Sequence, residues 1–215
     1  MQPELTLIVA ATRSLGIGRN GTMPWPSLRK EMQYFARVTS RTVSETPNAI
    51  NAVIMGRKTW DSIPPRFRPL RNRLNIVISR TKGPEGEAPQ DENQPRQHQD
   101  QPQQQHQPIR VPSLDAALAH VANDPLVSRV FVMGGGQIYE QALRRPESKR
   151  VLLTRIENEY ECDTFFGLDL RDGTDGWRRC SAGEWRAWTG ECERDGEGES
   201  VEEAGVRYQW QMWER

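Results

Sequence analysis

Short apolar runs rich in β-branched residues recur along the chain at residues 5–11, 49–55, 74–79, 129–133 and 151–156. They are continuous rather than alternating, which suits strands covered on both faces. Helical spacing lies between several of them. Leu28, Met32, Phe35 and Val38 recur in this way, as do Leu114, Ala117, Leu118 and Val121, and later Ile138, Gln141 and Ala142. Strands alternating with helices predict an α/β fold: one domain with a mostly parallel, doubly wound sheet flanked by helices. The C-terminus follows a different rule. Val206, Tyr208, Trp210 and Met212 alternate with polar residues, the mark of a half-exposed strand. The Gly- and Glu-rich stretch 190–205 reads as a long turn, and a strand near Trp185–Trp188 is expected to complete an antiparallel hairpin at one edge of the sheet.

One stretch breaks the pattern. From Gln90 to Gln107, nine of eighteen residues are Gln and no apolar side chain is present, so nothing offsets the entropy of ordering it. It predicts a disordered surface loop, an insert at about residues 83–108 of a domain that otherwise spans 1–215. His98 and His106, two of the three His, fall inside it. Two His in a polar run lack the rigid ligand set a metal needs, so no metal site is expected.

Charge then narrows the partners. Lys plus Arg (29) balance Asp plus Glu (29) over 215 residues, which gives no global attraction to nucleic acid or an anionic membrane. The longest apolar runs are far short of a membrane span. The first residues, Met-Gln-Pro-Glu, carry no basic stretch before an apolar one, so a secretory signal is not expected. Three widely spaced Cys, at 162, 180 and 192, suggest neither a disulfide framework nor a CxxC metal site and fit a reducing, cytoplasmic setting. With no apolar stretch left over for an interface, a monomer is expected.

Candidate chemistry sits at strand ends. Gly134-Gly135-Gly136 follows the run Val130–Met133 and precedes Gln137-Ile138-Tyr139, a layout in which backbone amides approach a pyrophosphate. A tight structural turn explains it nearly as well. Gly56-Arg57-Lys58-Thr59 ends a second strand with two cations and a hydroxyl, and Ser79-Arg80 ends a third. Ligands of open α/β sheets bind outside the carboxyl ends of strands, and three such ends favour a dinucleotide with an additional phosphate. The segment from Gly16 to Pro26 holds three glycines and then Trp25 between two prolines, a candidate mobile loop beside a site. Glu31 is the sharpest single residue. It lies three positions after Leu28 and four before Phe35, on the apolar face of its helix. A carboxylate there is costly without a partner, and burial raises its pKa. Snorkelling to water at the edge of the face is the plain alternative.

Together these segments resemble dihydrofolate reductase. The resemblance rests on Ile8-Val9-Ala10, the loop Gly16-Ile17-Gly18 to Pro24-Trp25-Pro26, the helix from Leu28 to Phe35 with Glu31, and Val53 to Trp60. It continues through Ser62-Ile63-Pro64, Arg68-Pro69-Leu70 with Arg73, Ser79-Arg80, Gly134-Gly135, Tyr139, Thr154-Arg155 and Asp163-Thr164-Phe165-Phe166. It covers residues 5 to about 166 apart from the insert, and its eukaryotic-type order does not depend on one motif. The resemblance implies that NADPH reduces dihydrofolate to tetrahydrofolate and that antifolate inhibitors bind. It implies a pterin pocket around Glu31 with Thr154 joining through water. Ile8, Val9, Met32, Phe35, Ile63, Leu70, Met133 and Tyr139 contribute to the substrate site, and Arg73 holds the substrate α-carboxylate. Met23 and Trp25 flank the chemistry, with water admitted near Met23 as the immediate proton donor. Cofactor contacts fall to Ala10, Ile17, Gly18, Gly21, Thr22, Gly56, Arg57, Lys58, Thr59, Ser79, Arg80, Thr81, Gly134, Gly135, Gly136, Gln137, Ile138 and Tyr139, with a cis bond between Gly134 and Gly135. Met23, Met32 and Phe67 depart from residues common in the family, so inhibitor preference does not carry over.

Two other readings stand beside this one. A reductase of the same fold could act on a pyrimidine or riboflavin precursor, against which Glu31, Trp25 and Arg73 argue. A non-enzymatic module could bind nucleotide and reach partners through the polar insert, against which the intact Glu31, Arg73 and phosphate-binding set argue.

Overall fold

The computed structural model describes residues 3–80, 107–170, 173–191 and 200–215. The Gln-rich stretch up to residue 106, with His98 and His106, lies outside the described residues, as do Thr81 and Cys192.

Eight strands form the main path of the sheet. They are β1 (Leu5–Thr12), β3 (Ile50–Gly56), β4 (Arg73–Ile78), β5 (Ile109–Val111), β6 (Val127–Val132), β7 (Ser148–Ile156), β10 (Val201–Glu203) and β11 (Val206–Glu214), in the order β10-β11-β7-β1-β6-β3-β4-β5. From β7 to β5 each neighbouring pair is parallel. β11 enters antiparallel beside β7, and β10 and the short β9 (Arg178–Arg179) pair antiparallel with it. A separate two-stranded ladder joins β2 (Gly16–Gly18) to β8 (Thr164–Phe165). The helices are α1 (Arg29–Ser40), α2 (Arg57–Ser62), α3 (Leu114–Ala122), α4 (Gly136–Leu143) and α5 (Ala182–Thr189).

The period of two in each strand sorts its side chains between two cores. Leu5, Leu7, Val9, Ala52, Ile54, Ile76, Val130, Val132, Val151 and Leu153 pack with Leu118, Ile138 and Ala142 on the α3/α4 side. Ile8, Val53, Met55, Val77, Phe131, Leu152 and Ile156 pack with Tyr34, Val38, Trp60 and Trp185 on the α1/α5 side. Thr154 shares the parity of Leu152 and Ile156 and so faces α1, which is what places a hydroxyl opposite Glu31.

Two expectations fail. Residues 185–188 are not a strand, because they lie within α5. The hairpin partner of β11 is β10, inside the stretch read as a long turn. The signals were present: Ser181 and Glu184 form a capping box, and Gly190 ends the helix in the left-handed region at φ 72°. The two tryptophans suggested a β-rich run, but a capped eight-residue helix buries Trp185 more effectively. On α1, Tyr34 rather than Met32 belongs to the core, since Met32 is 45% exposed and Tyr34 is 1% exposed. Tyr34 stacks on Trp210 with ring centroids 4.8 Å apart and on Trp185 at 5.9 Å, and the Trp185 Nε1 donates to its hydroxyl over 3.1 Å. Beyond it, the fully buried Glu191 side chain pairs with Arg37 and lies 3.7 Å from Arg41 Nη1, tying the end of α1 to the end of α5.

Trp185→Ala removes the centre of this aromatic stack and is expected to cost about 3–5 kcal/mol, measured as a shift of the urea unfolding midpoint at unchanged m-value.

Candidate active site

Glu31 is the third residue of α1. The chain enters that helix through Pro24-Trp25-Pro26, and Leu28 at the cap position supplies no side-chain bond. Trp25 is buried, edge-on to Tyr160 with centroids 6.1 Å apart. The helix turns Glu31 toward β7, where the Thr154 hydroxyl donates to its Oε1 over 3.2 Å. Ala10, Ile8, Trp25, Phe35, Ile63, Leu70 and Met133 belong to the same α1-side cluster, so the carboxylate stands among apolar neighbours. Burial pushes its pKa up to about 7. The Thr154 bond opposes that rise and the Glu203 carboxylate adds to it.

The glycine turn lies across the sheet. Met133 donates to the Ile54 carbonyl, and Gly56 donates to the Gly134 carbonyl over 2.8 Å, so the ends of β3 and β6 are stitched together. The Gly134–Gly135 bond is cis, as the resemblance implies, and Gly134 has φ 105°. A Cβ at Gly134 would sit 3.1 Å from the Tyr139 ring, and one at Gly136 would sit 2.9 Å from Thr164 Cγ2. Tyr139 donates its hydroxyl to the Ile8 carbonyl over 2.6 Å, which joins α4 to the strand that borders the Glu31 cleft. Ile138 begins the buried face of α4 and Gln137 is exposed beside it.

The loop after β1 is anchored from the far side. Asn20 (φ 51°) and Gly21 (φ 78°) make a tight turn closed by two hydrogen bonds between Arg19 and Thr22. Asn20 donates to Asp163, Arg19 pairs with Glu161, and Gly16 leaves room for Cys162, whose Sγ would clash with a Cβ there. Ile17 and Gly18 are half-buried in the β2/β8 ladder, while Thr22 is exposed. Met23 is 53% exposed.

Arg57 and Lys58 are exposed after β3, with Thr59 half-buried behind them. Ser79 and Arg80 follow β4. The glycine turn lies beside this end of β3: a Cβ at Gly135 would stand 3.4 Å from Thr59 Oγ1.

Arg73 begins β4 and is 9% exposed. Its Nε donates to the Arg71 carbonyl and its Nη1 to Thr39 Oγ1 over 2.8 Å, and it stands 5.8 Å from the Phe35 ring centre. Burial lowers its pKa to about 10. Among the described residues no carboxylate pairs with it, and the guanidinium is held rigidly enough to take one from a ligand.

The site therefore brings together Glu31, Thr154, Trp25, Phe35, Ile63, Leu70 and Met133, with Ile8 and Ala10 on their border. Val9 is a correction: its parity turns the side chain into the α3/α4 core, so it can offer the cleft only backbone. Met32 is exposed on α1 rather than part of a closed wall.

The family follows from comparison. Residues 4–183 match the family model described as dihydrofolate reductase. The dihydrofolate reductase of Cryptococcus neoformans is 40% identical over 235 residues, covering 98% of this chain and 94% of that protein. That of Pneumocystis carinii is 36% identical, covering 100% and 98%, and that of Rattus norvegicus is 41% identical, covering 77% and 80%. The solved structure of Schistosoma mansoni dihydrofolate reductase aligns with a TM-score of 0.72 at 29% identity, covering 100% of this chain and 99% of that one. The chain belongs to the dihydrofolate reductase family. Among the described residues no helix is long and apolar enough to cross a membrane.

An unfolded Glu titrates near 4.5, and folded Glu31 near 7. Between these pH values the folded protein keeps a proton that the unfolded chain has released, so stability is full below 4.5 and falls as pH rises through 7, by up to about 3 kcal/mol. Glu31→Gln is expected to flatten that fall and to exceed the parent in stability at pH 8, read from urea unfolding at pH 5 and pH 8.

Proposed function

We propose that this chain is a eukaryotic-type dihydrofolate reductase whose Glu31 cleft receives the pterin of 7,8-dihydrofolate and whose residues 1–215 form one catalytic domain with an insert at about 83–108. The family reduces dihydrofolate to 5,6,7,8-tetrahydrofolate with NADPH, supplying one-carbon metabolism, and it takes antifolates in the same pocket. The observation that carries the site assignment is the Glu31 carboxylate, placed among apolar side chains with Thr154 as its hydrogen-bond donor.

Bound NADPH supplies a hydride to C6 of the substrate. This chain supplies alignment and dryness. Gly56 to Thr59, Ser79 to Thr81 and Gly134 to Tyr139 are the residues to hold the cofactor, with Ala10, Ile17, Gly18, Gly21 and Thr22 along the nicotinamide side. Ile8, Phe35, Ile63, Leu70 and Met133 wall the pterin and benzoyl rings, Met32 lies at the mouth, and Val9 contributes backbone. Arg73, buried with donors to spare, takes the α-carboxylate as a planar fork. Glu31 pairs with the amidine-like edge of the pterin and favours protonation at N5, the proton arriving from water admitted past Met23 and Trp25. A raised pKa suits this task, because it keeps a proton near the pterin at neutral pH. The balanced charge supports an enzyme without nucleic-acid or anionic-membrane partners, the widely spaced cysteines a cytoplasmic one, and the lack of a leftover apolar stretch a monomer.

Loss of NADPH absorbance on adding dihydrofolate, blocked by methotrexate, is the expected result for purified protein. Glu31→Ala should retain NADPH binding and lose most turnover at neutral pH, and unchanged turnover would remove Glu31 from the mechanism. Cofactor binding without oxidation would favour the related-substrate reductase or the silent binding module.

Arg73→Lys keeps the charge and loses the fork, so KM for dihydrofolate should rise about 10-fold or more with kcat little changed. Steady-state kinetics at saturating NADPH separates the two parameters.

A further inference from the structure

The first turn of α1 has no cap from its own sequence, since Leu28 offers no polar side chain. Its amides are nevertheless bonded. Arg29 N donates to Glu203 Oε1 over 2.8 Å, and Lys30 N reaches both carboxylate oxygens, at 3.3 and 3.0 Å. Glu203 lies at the end of β10, 174 residues along the chain from Arg29. The Tyr208 hydroxyl on β11 donates to Glu203 Oε2 over 3.2 Å, so the carboxylate is itself oriented. A carboxylate there satisfies amides that would otherwise be orphaned and matches the positive end of the helix. The residue that follows the two bonded amides is Glu31.

We propose that Glu203 is a positioning residue for the reaction, clamping the start of α1 from the C-terminal hairpin and so fixing where Glu31 meets the pterin. The inference rests on the dihydrofolate reductase reading of the Glu31 cleft. The clamp does two things at once. It sets the helix start within hydrogen-bond tolerance, and it places a second negative charge near Glu31, which raises the Glu31 pKa further. The charged and titratable groups around the pair are few. On α1 they are Arg29, Lys30 and Tyr34. From the hairpin come Glu202 and Arg207, 3.6 Å apart, and Tyr208, while Tyr139 approaches Glu31 from α4. None of the neighbouring cations forms an ion pair with Glu203 among the described residues, so its contacts are directed at the helix amides and the Tyr208 phenol.

Three full-length variants test this. Glu203→Ala should lower kcat/KM for dihydrofolate and weaken methotrexate binding by about 10-fold or more, because small displacements of an aligned group are costly, while the NADPH Kd is unchanged. Glu203→Gln keeps an acceptor for the amides and should recover most of that loss. It should also lower the Glu31 titration midpoint, followed by carboxyl carbon NMR without substrate, by about 0.3–1 pH unit. Ser113→Ala removes the side-chain cap of α3, which packs in the opposite core, and serves as a control with no contact to α1, so its kcat/KM should match the parent. The inference is overturned if Glu203→Ala keeps parental kcat/KM, if it weakens NADPH and methotrexate equally, or if Ser113→Ala produces the same loss. If the parent itself fails to reduce dihydrofolate, the functional reading falls. The NMR titration and methotrexate binding then still decide whether Glu203 controls Glu31: an unmoved midpoint with unchanged binding overturns it, and a lowered midpoint supports it.

Discussion

A carboxylate taken out of water without a cation is unstable in its charged form, and the surrounding structure must either neutralise it or hold it in place. At Glu31 the fold holds it. One hydroxyl from β7 meets it, apolar side chains such as Ile8 and Ile63 belong to the same cluster, and the helix that carries it is anchored by its own Tyr34, which stacks on Trp185 and Trp210. The raised pKa of the group therefore comes from burial and not from any contact with a cation.

The glycine turn obeys a different constraint, close approach of backbone. The bond from Gly56 to Gly134 joins two strand ends, and side chains at residues 134 and 136 would strike Tyr139 and Thr164. Tyr139 connects this end to the carboxylate end, because its hydroxyl is fastened to the Ile8 carbonyl. The glycine turn and the Glu31 cleft are thus referenced to the same strand, β1, which lies between β7 and β6 in the sheet.

Much of this was legible in the sequence. Continuous apolar runs located the parallel strands because burial on both faces leaves no alternation to mislead. Glu31 stood out as a charge among helix-spaced hydrophobes, and Gly134 to Gly136 as glycines at a strand end. What escaped were relations without local signature. The strand expected at residues 185–188 is a helix because its capping box outweighs the β preference of tryptophan. Tyr34 looked like an ordinary position beside Met32, and only the stack with Trp185 and Trp210 shows which of the two points inward. The bond of Glu203 to α1 joins residues nearly a whole chain apart, and no spacing rule reaches that far.

The parity of β7 has a consequence for how the gene can vary. Leu153 and Thr154 look into opposite layers, so deleting or adding one codon within that strand would exchange them. The carboxylate would then face a leucine, and a hydroxyl would enter the α3/α4 core. Point changes there are graded in their harm, but length changes are all-or-none. Growth in chain length belongs instead in connections between strands, where each strand keeps its own register: β5 pairs with β4 residue by residue although the glutamine-rich run stands between them in the sequence.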